Sequence, residues 1–574
     1  MKKNVNWRIG LILFLIIAFG AAIIGRLFFL QIIERKLYQS QALGQQTSFD
    51  NIVGSRGQIF CENSQETKGA QASGEVKSLA INKDSWTISV NPKDIKDKTA
   101  FADTLSKNIG QTAEQILSEL NTQSSYVVLQ KGVSSTEADK IKASGIKNLS
   151  WENIPERFYP QGEMAAQTLG FLGGSGIGQY GIEGYYDDIL KGKPGVEEEQ
   201  SGLNSIFSND NQDFLNGSDI YSTIDYNIQF QAEQLLKQEQ KKDDIDAGQI
   251  IVMKPDTGKI LALANFPAFN PNQYSKVPDL GIFQDSAVQK LFEPGSIMKP
   301  FTMAAALNEG KITPDTTYVD TGVVTFGQHS IHNFANEKYG QQTMTQVLEN
   351  SINTGVVFAE QKIPHQTFLN YLDKFGFFEK TGIDLQGEVY SNNDLLKNGP
   401  DIEYATAAFG QGIELTPIQI AKGYCAIANG GKLVKPYIVE KIVSGNDEVD
   451  TKPEVSSSIV SQQTLSQLNS MLISVVDKGF NGVAKIPGYY LAGKTGTAQI
   501  PMPNGNGYEP DTNTIQSFVG YGPALKPQFL ILVKLDNPKV PKSALSAVPI
   551  FKQLAQYIIN YWQIPPDYDV SAKQ

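Results

Sequence analysis

A serine and a lysine three residues apart, Ser296 and Lys299, lie in the run Phe292-Glu293-Pro294-Gly295-Ser296-Ile297-Met298-Lys299-Pro300, ahead of the apolar segment Phe301 to Leu307. That spacing puts both on one face of a helix, a hydroxyl beside an amine. Serine is a poor nucleophile until a base takes its proton. Lysine qualifies as that base only where burial or a neighbouring cation depresses its pKa toward neutrality. The surrounding residues supply the element that would hold the pair. Pro300 lacks a backbone N–H and its ring crowds the carbonyl four residues earlier, so it fits a first helical turn, and Gly310 supplies a stop. Ser296 is thereby expected at or near a helix N-terminus, where orphan N–H groups and the macrodipole favour negative charge. Alone, S-x-x-K is a weak signal, because a capping serine followed by a surface lysine reads the same way.

Two later stretches raise its specificity. Ser351-Ile352-Asn353 and Lys494-Thr495-Gly496-Thr497 follow in order. Together the three resemble the S-x-x-K, S-D-N and K-T-G set of serine β-lactamases and penicillin-binding proteins, with Ile352 between the two polar residues of the second motif. Other chemistries are excluded by what the chain lacks. It has 3 histidines; His329 and His332, i and i+3, have no acidic partner at ligand spacing and read as loop residues, so no metal site is expected. No histidine stands in a motif context with a serine, which removes a Ser-His-Asp triad. A net charge of −11 argues against nucleic acid, since nothing would neutralise phosphates over an extended surface. Cys61 and Cys425 lie far apart and are expected as two separate free thiols.

The 574 residues, 41% hydrophobic and 19% charged, suffice for more than one domain with its own core. Lys2, Lys3 and Arg8 precede the apolar run Ile9 to Gly25; Arg26 interrupts it and Leu27 to Leu30 resumes. That span fits one membrane crossing. A cleaved signal peptide is the alternative, with Ala18-Phe19-Gly20 at suitable spacing, but the apolar segment continues well past that site. Arg35 and Lys36 beyond the span weaken the positive-inside signal. A helical stalk is expected over Ile32 to Phe49, then a strand from Arg56-Gly57-Gln58-Ile59-Phe60, and a mobile loop over the polar stretch Glu62 to Lys77. Alternating Trp86, Ile88 and Val90 predict a strand; Phe101 to Leu120 a helix; Tyr126 to Leu129 a strand; Thr136 to Ala143 a helix. The polar segment Gly195 to Gly217 is a candidate domain boundary. Ile224 to Lys241 has apolar residues at helical spacing, and Gly248 to Met253 with Lys259 to Ala264 forms a hairpin around Pro255-Asp256-Thr257-Gly258. Strands from Lys494, Ser517 to Gly520 and Phe529 to Leu535, then a helix Pro549 to Trp562, close the chain. Strands at both ends with helices between predict helices packed on a sheet.

Over nearly its whole length the chain resembles a class B penicillin-binding protein, a membrane-anchored peptidoglycan D,D-transpeptidase. Arg56-Gly57, Glu183-Gly184, Thr257-Gly258-Lys259-Ile260-Leu261-Ala262 and Phe409-Gly410-Gln411-Gly412 are similar to family landmarks in the expected order, and Phe292 to Ser296 is most similar to the septal, cell-division branch. Cys61 and the insert Glu62 to Lys77 depart from the family pattern. The resemblance implies a multidomain α+β chain: cytoplasmic tail and transmembrane anchor over 1–31, a stalk and mixed α+β pedestal of dimerisation type over 32–222, and a transpeptidase domain of serine β-lactamase-like fold, helices on an antiparallel sheet, over 223–574. It implies a single-pass protein of the bacterial cytoplasmic membrane, with its N-terminus cytoplasmic and its catalytic domain outside.

On that reading Ser296 is the nucleophile, and Lys299, desolvated and close to Lys494, is the base. Ser351 relays a proton to the departing amine, and Asn353 orients Lys299 or the substrate amide. Lys494 and Thr495 hold the substrate carboxylate, Gly496 lets the substrate backbone approach a strand edge, and the N–H groups of Ser296 and Thr497 form the oxyanion hole. Implied partners are peptidoglycan stem peptides and lipid-linked strands, β-lactams as covalent inhibitors, and a polytopic glycosyltransferase with cell-division proteins in the membrane; no cofactor is implied. Gly410-Gln411-Gly412 reads as a plain turn or, by the resemblance, as the rim of the site. Glu183 reads equally as a solvated loop acid or an interdomain contact. A same-fold hydrolase (D,D-carboxypeptidase or β-lactamase) and a non-catalytic β-lactam sensor are the alternatives; the full set Ser296, Lys299, Ser351, Asn353 and Lys494 weighs against the second.

Overall fold

The computed structural model describes residues 51–62, 76–192, 194–196, 216–502, 507–509 and 512–569. The expected membrane helix and stalk, most of Glu62 to Lys77 and most of Gly195 to Gly217 lie outside them. Among the described residues no helix is long and apolar enough to cross a membrane. The chain divides into two units. One joins Met1–Ser55 to Gly192–Asn216, and in it Asn51–Val53 pairs antiparallel with Pro194–Val196. The other joins Arg56–Lys191 to Gly217–Gln574 and holds Ser296, Lys299, Ser351, Asn353 and Lys494.

Five antiparallel strands form the main sheet of this second unit, in the order Ile260–Phe266, Ala247–Met253, Phe529–Asp536, Thr514–Gly522, Ala492–Gln499. Its inner strands are apolar on both faces because both are covered. In Ala247–Met253, Ile250 and Val252 join a core with Ile531 and Val533 and with the helices Tyr226–Asp243 and Ala547–Tyr561. Ile251 and Met253 join another, with Leu530 and Leu532 and the helices Lys299–Asn308, Pro417–Ala428 and Gln462–Lys478. Strand alternation thus splits one apolar run between two cores, each buried aliphatic side chain contributing about 1.5–3 kcal/mol. The expected helices-on-sheet architecture is present, with helices on both faces.

A second sheet runs Asp447–Asp450, Val439–Ser444, Asp219–Asp225, Ile59–Glu62, Lys77–Lys83, Glu156–Phe158. Asp219–Asp225 pairs parallel with Ile59–Glu62 and antiparallel with Val439–Ser444, so strands remote in sequence share it. Beside it, Val127–Ser134, Ser85–Val90 and Ser150–Asn153 form a small sheet whose core contains Ile88, Val90, Leu105, Ile116, Leu129 and Ile141.

Three expectations change in the folded chain. Phe101 to Leu120 is two helices, Lys98–Leu105 and Ala113–Leu120, because Thr112 and Gln115 make a reciprocal capping box that starts a second helix. His329 and His332 are not in a loop: they end the strand His329–His332, paired with Val323–Phe326. Glu183 is no solvated acid, being 0% exposed. Its Oε2 accepts from Arg56 Nε at 2.8 Å and its Oε1 from Arg157 Nε at 2.6 Å, while Arg56 Nη1 reaches Asp187 at 2.7 Å. Arg157 Nη1 also donates to the Gly57 carbonyl at 2.7 Å, which ties the Arg-Gly landmark to the Glu-Gly one.

Candidate active site

Ser296 sits half-buried on a 3-10 turn, Gly295–Met298, that runs into the helix Lys299–Asn308 with Pro300 in its first turn. Gly295 has φ +58°, and a Cβ there would come within 2.9 Å of Ala498 Cβ, so glycine is needed for both its backbone angle and its space. The turn is held from outside: Gly295 N donates to Gly410 O at 2.9 Å, and Phe292 and Leu415 exchange both backbone bonds. Gly410-Gln411-Gly412 therefore buttresses the nucleophile turn. Glu293, which sequence reasoning left without a role, completes the brace by accepting from Gly412 N at 3.0 Å and from Tyr508 Oη at 3.1 Å. Burial pushes its carboxyl up to about 7.

Ser351 occupies the break between the helices Met344–Glu349 and Asn353–Glu360 with φ +56°, a left-handed conformation costly for a residue with a Cβ. Its carbonyl and its hydroxyl both meet the same amine. Ile352 between the polar residues is buried in the core and serves packing. Lys494 lies on Ala492–Gln499, the last strand in the sheet order. In that strand Gly496 has a packing reason as well: a Cβ would meet Ser517 Oγ at 2.3 Å and Pro294 O at 3.1 Å.

The structure brings Lys299, Ser351, Asn353 and Lys494 into one hydrogen-bonded group. Lys299 Nζ donates to Ser351 O at 2.5 Å and to Asn353 Oδ1 at 2.8 Å, and lies 3.2 Å from Ser351 Oγ. Lys494 Nζ reaches Ser351 Oγ at 2.9 Å and Thr495 Oγ1 at 3.2 Å. Both lysines are 0% exposed, and no carboxylate pairs with either among the described residues. Burial, helped by the Lys494 charge, holds the Lys299 amine well below the ordinary lysine range; burial alone brings Lys494 down to about 7. A neutral Lys299 has two N–H groups for the Ser351 and Asn353 oxygens and keeps a lone pair to receive a proton. Ser351 Oγ, between the two amines, can pass one on. Ser296 Oγ makes no hydrogen bond among the described residues, and contacts to a nucleophile often tighten only with substrate in place. Thr497, half-buried, touches Ser543 Oγ at 3.4 Å.

A family model for the penicillin-binding protein transpeptidase domain matches residues 248–556, more than half of the chain. The chain belongs to that family. A model for the penicillin-binding protein dimerisation domain matches residues 51–222, and the class B resemblance holds. Among curated relatives, the chain is 31% identical over 472 residues to stage V sporulation protein D of Bacillus subtilis, covering 80% of this chain and 73% of that one. It is 27% identical over 584 residues to the peptidoglycan D,D-transpeptidase FtsI of Escherichia coli, covering 98% and 93%. A crystal structure of penicillin-binding protein 2X from Streptococcus thermophilus shares the fold, with TM-score 0.72 at 23% identity over 90% of this chain and 81% of that one. In this chain the two buried lysines, joined through Ser351, form one proton-handling group.

Proposed function

We propose that this chain is a serine-type peptidoglycan D,D-transpeptidase that joins stem peptides through an acyl-enzyme. The observation that carries this is the buried like-charge pair Lys299 and Lys494 with the Ser351 hydroxyl between them, because such an amine is a base at neutral pH. Lys299 takes the Ser296 proton as Ser296 Oγ attacks the penultimate D-Ala carbonyl. The peptide C–N bond breaks, the proton passes by way of Ser351 to the departing amine, and D-Ala leaves. The amine of a second stem then attacks the acyl ester, gives its proton back to the lysine group, and restores Ser296. Backbone N–H groups of Ser296 and Thr497 stabilise the oxyanion, while Lys494, Thr495 and Gly496 hold the substrate's terminal carboxylate and backbone.

A β-lactam enters the same path with its leaving group tethered. Mass spectrometry of the folded protein after penicillin treatment should therefore place the adduct on Ser296. An adduct on another residue, or none, defeats the mechanism. The septal role, the single-pass anchor with an extracytoplasmic catalytic domain, and docking beside a polytopic glycosyltransferase rest on the family resemblance and on Ile9 to Leu30, whose Gly20, Ala21 and Ala22 suit close helix packing in lipid. Holding the enzyme beside the polymerase raises effective concentration without a new catalytic contact. Replacing Ile9 to Leu30 by an unrelated apolar helix of equal length should abolish co-purification with the polymerase; unchanged co-purification and cell-wall growth leave only an anchor.

A further inference from the structure

Asn353 offers its amide oxygen to Lys299, and the neighbouring hairpin fixes that orientation. Asn353 Nδ2 donates to the His332 carbonyl at 3.0 Å. Turning the amide over would set N–H groups against the amine and oxygen against oxygen. The next residue on each element is tied as well. Asn333 Oδ1 accepts from Thr354 N at 3.1 Å, and Asn333 Nδ2 donates to Asp320 Oδ2 at 2.9 Å and to Glu337 O at 3.1 Å. The Thr354 hydroxyl, also within 3.2 Å of Asn333 Oδ1 and Tyr318 Oη, donates to Asp320 Oδ1 at 2.6 Å. Gly322 N at 3.0 Å and Tyr339 N at 2.8 Å give Asp320 four donors. Asp320, Asn333 and Thr354 are all buried, and no lysine or arginine pairs with Asp320 among the described residues. Burial opposes the charge, but Thr354 and the other donors outweigh it and hold the carboxyl below its usual range.

We infer that Asp320, Asn333 and Thr354 form a positioning unit for the reaction, which seats the His332 carbonyl so that Asn353 presents an acceptor, and never a donor, to Lys299. The inference rests on the transpeptidase reading. None of the three touches Lys299; they act through Asn353. A fully satisfied buried network of this kind specifies one geometry, and a displacement of about 1 Å at a reacting group costs on the order of 100-fold in rate.

The test uses the full chain and a fluorescent penicillin in stopped flow, which separates the non-covalent Kd from the acylation rate constant. Thr354→Val keeps the side chain's shape and removes its hydroxyl, Thr354→Ser restores the hydroxyl, and Thr325→Val alters the outer part of the same hairpin. Thr354→Val is expected to acylate ~10- to 100-fold more slowly with Kd within about twofold. The acid limb of its rate profile should move to lower pH, because a misturned amide puts N–H groups against the Lys299 ammonium. Thr354→Ser should recover, and Thr325→Val should match the parent. An unchanged rate constant in folded Thr354→Val, or a Thr354→Ser equally slow, overturns the inference. Thr354→Ala asks the same question if valine does not pack, judged against its Tm. Failure of the parent protein itself to acylate would sink the transpeptidase reading instead, and is measured first.

Discussion

Among the described residues, two clusters of buried cations are treated in opposite ways. Arg56 and Arg157 are packed against Glu183 and Asp187, every charge meeting its opposite at 2.6 to 2.8 Å. Lys299 and Lys494 are packed against hydroxyls and carbonyls, with no carboxylate at either among the described residues. Guanidinium cannot shed its proton, so a buried arginine needs a partner. An ammonium can, so a lysine left without one becomes a neutral amine, and a neutral amine is a base. The first arrangement holds the landmark residues of the chain together. The second gives up stability at neutral pH to make a reactive group.

The contrast is most severely tested by Lys299→Arg, which makes a removable charge permanent. Acylation of Ser296 should fall by ~10²–10⁴-fold, the usual contribution of a general base. A folded variant with near-parental labelling by fluorescent penicillin would assign the proton to another group. On the paired side, Glu183→Ala strands the buried Arg157 guanidinium and leaves Arg56 with Asp187 alone, and should cost about 3–5 kcal/mol. Denaturant unfolding measures that loss, while the fraction still folded should acylate at the parental rate. A variant of parental stability would show that the cluster is adequately solvated.

A smaller effect separates the two groups by pH. The folded chain releases the Lys494 proton near pH 7, whereas an unfolded lysine keeps it to about 10.5, so between those values the unfolded chain binds more protons. Stability must then rise with pH across that window, by about 1.4 kcal/mol per pH unit for one such group. Lys494→Met should flatten the slope in a series of melting curves, and Glu183→Gln should leave it intact. An equal slope in the parent and Lys494→Met would mean that Lys494 stays charged when folded.

How far the sequence reached can be judged from particular residues. Pro300 and the apolar run after it located the nucleophile helix, and the apolar run Gly248 to Met253 ahead of a Pro-Asp-Thr-Gly turn located a strand of the main sheet, because both signals are local. The second helix in Phe101 to Leu120 was also readable, since Thr112 and Gln115 carry the capping signature. His329 and His332 were misplaced because a four-residue strand with one apolar residue, Ile331, carries no period to detect.

By itself the sequence determined which side chains were available for chemistry and in what order: a serine with a lysine on its own face, a second serine with an asparagine, a second lysine in a strand. It also determined that no histidine triad could be built. Only the tertiary structure decided that the two lysines are buried together without a counter-charge among the described residues, that Ser351 is bent into a left-handed conformation and meets both of them, and that Glu183 joins two arginines. Spacing along a chain is fixed by local covalent geometry, but a pKa depends on what surrounds a group in space, and for Lys299 those surroundings come from residues 351, 353 and 494.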